Sequence, residues 1–233
     1  MKAIILAAGM GKRIRGATNK PKCLIEINNE TLIARSVRLL KKYRIKDITV
    51  VAGYKAKEIS RELAGKGMII KLIINKQFRR GSILSLWAAR HKLNKDTLIM
   101  DADLYFEEAV VKKAITSRKK NFFLIDVLSR RDKEAVLVGF RNSRAVALAR
   151  GLKGEYSVKG EWAGFLKLSN TAVRELKKIM KHLVAHGDRD SGYEFIIPYL
   201  FSKAKISYEL INGLSWVEID FPFDIRRARG MAI

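Results

Sequence analysis

The feature that most constrains this chain stands at its start. A short apolar run, Lys2–Leu6 (K-A-I-I-L), opens directly into a glycine-bearing basic loop, L-A-A-G-M-G-K-R. The length of the run and its flanks predict a fully buried parallel strand. A loop from Ala7 to about Lys22 follows, with Gly9, Gly11, Gly16 and Pro21. Cys23–Ile27 alternates weakly. Thr31–Tyr43 carries apolar residues at Leu32, Ile33, Val37, Leu39 and Leu40, the stripe of an amphipathic helix. Strands are then expected at Asp47–Ala52, Met68–Ile74 and Thr97–Met100, and helices at Lys55–Ala64 and Ser82–Leu93. Strands alternating with helices predict right-handed βαβ units, so the fold class is α/β, with helices on both faces of a parallel sheet.

The pattern changes after about residue 120. Asn121–Val127, Ala135–Phe140, Ala145–Ala149 and Trp162–Leu168 read as strands joined by short turns. Thr171–Val184 and Gly192–Lys203 read as helices, Ile206–Ile211 and Ser215–Ile219 as strands. Pro222 suits the first turn of a last helix, where its missing N–H costs nothing. No repeat or Ser/Pro-rich linker interrupts the 233 residues. The expectation is one domain over residues 1–233, with a nucleotide-binding half (1–120) and an acceptor-binding half (121–233).

Composition removes several classes. Cys23 is the single cysteine, so no internal disulfide forms. No apolar run reaches the roughly 18 residues that span a bilayer, and a cytoplasmic, reduced setting is the default expectation. Lys plus Arg is 47 and Asp plus Glu is 23, giving 47 − 23 = +24. The basic residues are spread along the chain, in small clusters such as Arg79-Arg80 and Arg130-Arg131, without zinc-finger, RNA-binding or basic-zipper patterns. Specific nucleic-acid binding is therefore not expected; such a surface instead draws in anionic small molecules. One glutamine, Gln77, among abundant Lys and Arg hints at a thermophilic source. A homo-oligomer is left open.

The glycine loop has its own chemistry. Glycines permit positive φ, and successive backbone N–H groups in such a turn form an anion-binding concavity. Lys12 and Arg13 add positive charge. The loop lacks the third glycine of the dinucleotide fingerprint and the spacing of a Walker A loop. Eight residues after Arg13 begins Pro21-Lys22-Cys23-Leu24. Two aspartates also stand out. Asp103 lies just past the fourth strand, where open α/β sheets bind ligands, and Asp220 lies at the end of another. Asp101 and Glu218, two residues earlier, share their faces and read either as alternate ligands or as a turn cap and a surface ion pair. His91 falls on a helix, and His182 and His186 are spaced i, i+4, the pattern of a solvated helix face.

L-A-A-G-M-G-K-R followed by P-K-C-L resembles the signature of the nucleoside-triphosphate nucleotidyltransferases, which activate sugar phosphates and phosphorylated alcohols. The likeness continues through V-V-A-G-Y at Val50–Tyr54, Gly81-Ser82, D-A-D at Asp101–Asp103 and W-V-E-I-D at Trp216–Asp220. It implies a Rossmann-like, mixed, mostly parallel sheet of the nucleotidyltransferase (GT-A-like) type. It implies that Asp103 and Asp220 jointly hold a catalytic Mg2+ on the triphosphate, with Arg13 and Lys22 as catalytic cations. Leu6, Ala7, Ala8, Gly9, Gly11, Lys12, Gly53, Asn75, Gly81 and Ser82 would then bind the nucleotide.

The segment N-K-Q-F-R-R-G-S-I-L-S-L resembles that of cytidylyltransferases, which makes CTP the favoured nucleotide. Gly160–Ser169 (G-E-W-A-G-F-L-K-L-S) is similar to a stretch in cytidylyltransferases acting on phosphorylated small alcohols. The resemblance implies an acceptor site at Glu161, Trp162, Gly164, Lys167 and Asp190, with Trp162 readable equally as core. Inositol 1-phosphate is the favoured acceptor, ahead of phosphocholine and aminoethylphosphonate. The alternative is a sugar-1-phosphate nucleotidyltransferase using UTP, dTTP or GTP.

Overall fold

The computed structural model describes residues 1–14, 16, 18–129 and 135–233; the Arg130-Arg131 cluster lies outside them. In chain order the elements are β1 (Lys2–Ala7), β2 (Glu26–Ile27), β3 (Glu30–Thr31), α1 (Leu32–Lys42), β4 (Ile48–Ala52), α2 (Ala56–Gly65), β5 (Lys71–Ile74), α3 (Ile83–Ala88), β6 (Thr97–Asp101) and β7 (Leu104–Phe106). There follow α4 (Glu108–Thr116), β8 (Phe122–Asp126), β9 (Val136–Arg141), β10 (Arg144–Arg150), β11 (Val158–Leu168), α5 (Asn170–Ala185), α6 (Tyr193–Ile196), β12 (Ser207–Leu210), β13 (Trp216–Glu218) and α7 (Pro222–Arg229).

The first half of the chain (residues 1–120) forms as its apolar runs dictate. β6, β1, β4 and β5 lie side by side and parallel; β4 is buried along its length, and β1 at every residue but the half-buried Leu6. Their side chains alternate across the sheet. Ile5, Val50 and Met100 pack with α1, α2 and α4 on one face; Ile4, Val51 and Ile99 pack with α3 and α5 on the other.

The second half of the chain (residues 121–233) turns the sheet mixed. β11 runs antiparallel and carries β8 along one edge; on the other, β9 pairs with Val158–Glu161 and β6 with Phe165–Leu168. The two partners part around Trp162–Gly164, which opens the sheet there. β12 and β10 complete the ends of this half.

Three expectations shift. β7 and α4 occupy a stretch to which the sequence reading assigned no element. The helix expected at Ser82–Leu93 is the short α3 followed by turns. The helix expected at Gly192–Lys203 breaks into α6 and a 3-10 turn at Ile197–Leu200. Pro198 explains that break, since it offers no N–H to the Glu194 carbonyl and its ring crowds it. Among the described residues no helix is long and apolar enough to cross a membrane.

Candidate active site

β1 and β6 are neighbours, with Leu6 opposite Asp101 and the Ala102 N–H donating to the Leu6 carbonyl at 3.2 Å. The glycine loop and the D-A-D segment therefore leave the sheet side by side at its carboxyl end. β7 then pairs antiparallel with β13, placing Glu218 opposite Leu104, and the Ile219 N–H donates to the Asp103 carbonyl at 2.9 Å. That ribbon carries Asp220 next to Asp103 across about half the length of the chain. One carboxylate oxygen from each of Asp103, Glu218 and Asp220 lies within 4.8 Å of the others.

Two cations face this cluster. Lys22 sits in a single 3-10 turn, Lys22–Leu24, behind Pro21. Its Nζ lies 3.2 Å from Asp103 Oδ2 and 2.5 Å from Asp220 Oδ1. Gly11 lets the Lys22 stem pass: its φ is +55°, and a Cβ there would stand 3.0 Å from Lys22 Cγ. The Arg13 guanidinium reaches Asp220 at 3.3 Å and lies 5.3 Å over the Phe221 ring. Burial pulls the Lys22 ammonium down, but Asp103 and Asp220 outweigh it and hold its pKa above the ordinary lysine value. Desolvation, then the charges of Asp103 and Asp220, raise the Glu218 carboxyl well above the carboxylate range, although the residue keeps contact with solvent. Burial, then Asp103 and Glu194, raise Asp101 likewise; the Tyr193 hydroxyl donates to both of its oxygens at 2.9 and 3.0 Å.

A basic backbone loop beside converging carboxylates at the end of a parallel sheet is a site for phosphate chemistry, and the family comparison agrees with that geometry. Residues 3–179 match the model of the MobA-like NTP transferase domain. The chain belongs to that family. It is thus an enzyme of the nucleotidyltransferase class.

The chain is 24% identical over 241 residues to a bifunctional IPC transferase and DIPP synthase of Thermococcus kodakarensis, covering 100% of this chain and spanning only 50% of that relative. It is 25% identical to a CTP:phosphoglutamine cytidylyltransferase of Campylobacter jejuni, over 97% of this chain and 98% of the other. The solved structure of CTP:phosphocholine cytidylyltransferase from Streptococcus pneumoniae superposes with a TM-score of 0.82 at 22% identity, over 98% and 97% of the two chains, and shares the fold.

In this nucleotidyltransferase, Leu6, Ala8, Gly9, Arg13, Ser82, Asp103, Glu161, Trp162, Gly164 and Asp220 wall one cleft of about 210 Å³. Ala7 and Lys22 border a small recess next to it, with Pro21, Cys23 and Ala102. Lys12 is exposed on the 3-10 turn beyond the loop.

Other expected site residues act from behind the wall or lie elsewhere. Gly53 packs on Phe78 and Ala8, where a Cβ has no room. Asn75 is buried; its amide donates to Ser85 Oγ at 3.0 Å and its carbonyl accepts the Gln77 N–H. Gly81 presses on the backbone of Asp190 and Ser191. The Asp190 carboxylate is exposed and paired with Arg80 at 2.5 Å. Lys167 lies opposite Leu98, toward the start of β6 and away from the cleft, and donates to the Ser117 carbonyl at 2.8 Å. Trp162 is mainly core: its Nε1 donates to the Phe165 carbonyl, and its ring meets Phe123 and Tyr193 edge-on.

The cleft also gathers residues that the sequence did not single out. Tyr193 and Glu194 open α6, and Ser85 lies on α3. Arg150 ends β10, 4.0 Å from Glu194. The glycine-acidic-aromatic run S-G-Y-E-F was the available signal for the first two.

The donor set at Asp103, Glu218 and Asp220 is all carboxylate oxygen. That fits a hard divalent cation, which takes one or two carboxylates and fills its remaining positions with phosphate oxygens and water.

Proposed function

We propose that this protein transfers CMP from CTP to a phosphorylated small alcohol, with release of pyrophosphate. The observation that carries the reading is the convergence, in one cleft and the recess beside it, of the Gly9 loop, Arg13, Lys22 and the Asp103–Glu218–Asp220 carboxylates. The likeness to cytidylyltransferases supports the choice of nucleotide.

An oxygen of the acceptor's phosphate attacks the α-phosphorus of CTP, and the bond to the bridging α–β oxygen breaks as pyrophosphate leaves opposite. The backbone N–H groups from Gly9 to Lys12 and the Arg13 guanidinium hold the departing phosphates. Lys22 neutralises the α-phosphate, where charge concentrates in the transition state. A phosphate monoester is already ionised, so no strong general base is needed. Mg2+ held by Asp103 and Asp220 would neutralise phosphate oxygens as a Lewis acid.

Inositol 1-phosphate remains the favoured acceptor. Glu161 and Glu194 can accept hydrogen bonds from ring hydroxyls, and Arg150 stands beside them. Trp162 is 6% exposed, so its ring offers little surface for a quaternary ammonium to stack on, which supports a polyol.

The test crosses CTP, UTP, dTTP, GTP and ATP with inositol 1-phosphate, phosphocholine, aminoethylphosphonate and glucose 1-phosphate in a Mg2+-dependent pyrophosphate-release assay. CTP with inositol 1-phosphate is expected to turn over fastest. Release confined to UTP, dTTP or GTP with the sugar phosphate would replace this reading with the sugar-nucleotide one.

A further inference from the structure

The β7–β13 ribbon ends one residue short of Asp220: its last bond runs from the Ile219 N–H to the Asp103 carbonyl. What holds the next two residues is a buried carboxylate in the first turn of α7. Asp224, 5% exposed, accepts the Asp220 N–H at 3.0 Å and the Phe221 N–H at 2.7 Å on the same oxygen, Oδ2. Its own N–H returns to the Phe221 carbonyl at 3.0 Å. Pro222 at the head of the helix stiffens the same turn.

Both gripped residues serve the site. Asp220 presents its carboxylate to Lys22 and Arg13. Phe221 stacks on Phe223 with centroids 5.4 Å apart and forms the shelf under Arg13. A shift of this turn would therefore displace a ligand and a cation together.

We propose that Asp224 is a positioning residue, whose carboxylate fixes the Asp220–Phe221 backbone and through it the aim of Asp220 at a bound divalent cation. The inference rests on the reading of Asp103 and Asp220 as cation ligands. Groups that orient metal ligands without touching the ion typically affect affinity or activity 10–100-fold. A different origin for such an effect would be the negative charge of Asp224 acting through space. Asparagine separates the two, because it keeps an oxygen that accepts N–H bonds and carries no charge.

The experiment titrates Mn2+ by electron paramagnetic resonance, without nucleotide, against the parent and Asp224→Ala, Asp224→Asn and Asp220→Asn. Circular dichroism confirms that each is folded at the assay temperature. Asp224→Ala is expected to weaken Mn2+ binding roughly 10–100-fold, Asp224→Asn to bind nearly as the parent does, and Asp220→Asn to lose binding. A purely structural role would lower the melting temperature of Asp224→Ala and leave its Mn2+ affinity at the parent value, overturning the proposal. Asp224→Asn binding as weakly as Asp224→Ala would overturn it in favour of charge. Should Asp224→Ala not fold, Asp224→Asn decides alone: retained affinity supports the backbone grip, and a tenfold loss overturns it. A parent that does not bind Mn2+, or an Asp220→Asn that binds like the parent, refutes the cation-ligand reading itself and this inference with it.

Discussion

Replacing Lys22 with methionine keeps the stem that threads past Gly11 and removes the ammonium between Asp103 and Asp220. The three side chains are largely enclosed, with exposures of 14% for Lys22, 23% for Asp103 and 14% for Asp220. At an effective dielectric near 20, unit charges at those separations attract by about 5 and 7 kcal/mol before any cost of leaving water. Desolvation offsets much of this. Removing one partner of a buried ion pair costs about 3–5 kcal/mol, because the charges left behind are uncompensated. For a chain of this length that lowers the melting temperature by roughly 10 °C.

Two measurements follow from the same geometry. Added Mg2+ should raise the melting temperature of Lys22→Met more than that of the parent, since the bare carboxylates gain most from a cation. Pyrophosphate release should fall by about 10²–10³ in kcat, with a smaller change in the KM for triphosphate, because the ammonium is needed most where charge develops. Differential scanning calorimetry and the release assay read both effects. A Lys22→Met variant that melts with the parent, or turns over within about tenfold of it, would refute the placement of Lys22 in the charge balance and in the transition state.

Gly164→Ala puts a Cβ at φ +74°, 2.7 Å from Leu104 Cδ1 and 3.1 Å from Asp101 Oδ2. Strain and overpacking together should cost about 2–4 kcal/mol, readable as a lower urea midpoint, and an unchanged midpoint would refute the fit. Lys167→Gln should leave acceptor KM within about twofold of the parent, because surface changes away from a site are nearly neutral; a large rise in KM would return Lys167 to the cleft. Cys23 is buried, and desolvation then Asp103 push its thiol up, so native protein at pH 8 should resist iodoacetamide while unfolded protein reacts. Fast native alkylation, followed by mass spectrometry, would contradict that burial.

What the sequence could announce was local. Lys2–Leu6 and Asp47–Ala52 read as buried strands because their apolar runs are too short for a helix, rich in β-branched residues and bounded by turn residues. In the glycine loop only Gly11 answers a backbone requirement, with φ at +55° and the Lys22 stem passing beside it; the loop was legible through its pairing with Pro21-Lys22-Cys23-Leu24. The missed α4 has the same kind of signal on a smaller scale: Glu108 in the first turn, Val110, Val111 and Ala114 buried, and Lys113 in the last turn. Its apolar stripe spans little more than one turn, too short to stand out beside its lysines.

The site itself was legible only as two distant motifs. Their meeting depends on β7 pairing with β13, a three-residue ribbon whose register no local pattern specifies. The same reasoning explains Lys167. A contiguous motif suggested that Gly160–Ser169 belongs to one surface, but an extended strand advances about 3.3 Å per residue. Three residues beyond Gly164, Lys167 is therefore about 10 Å along β11, past the point where β6 joins it and closes the opening. A motif on a strand marks a site only as far as the opening beside that strand extends. Here the opening is the gap between β9 and β6, which admits Glu161, Trp162 and Gly164 and stops at Phe165.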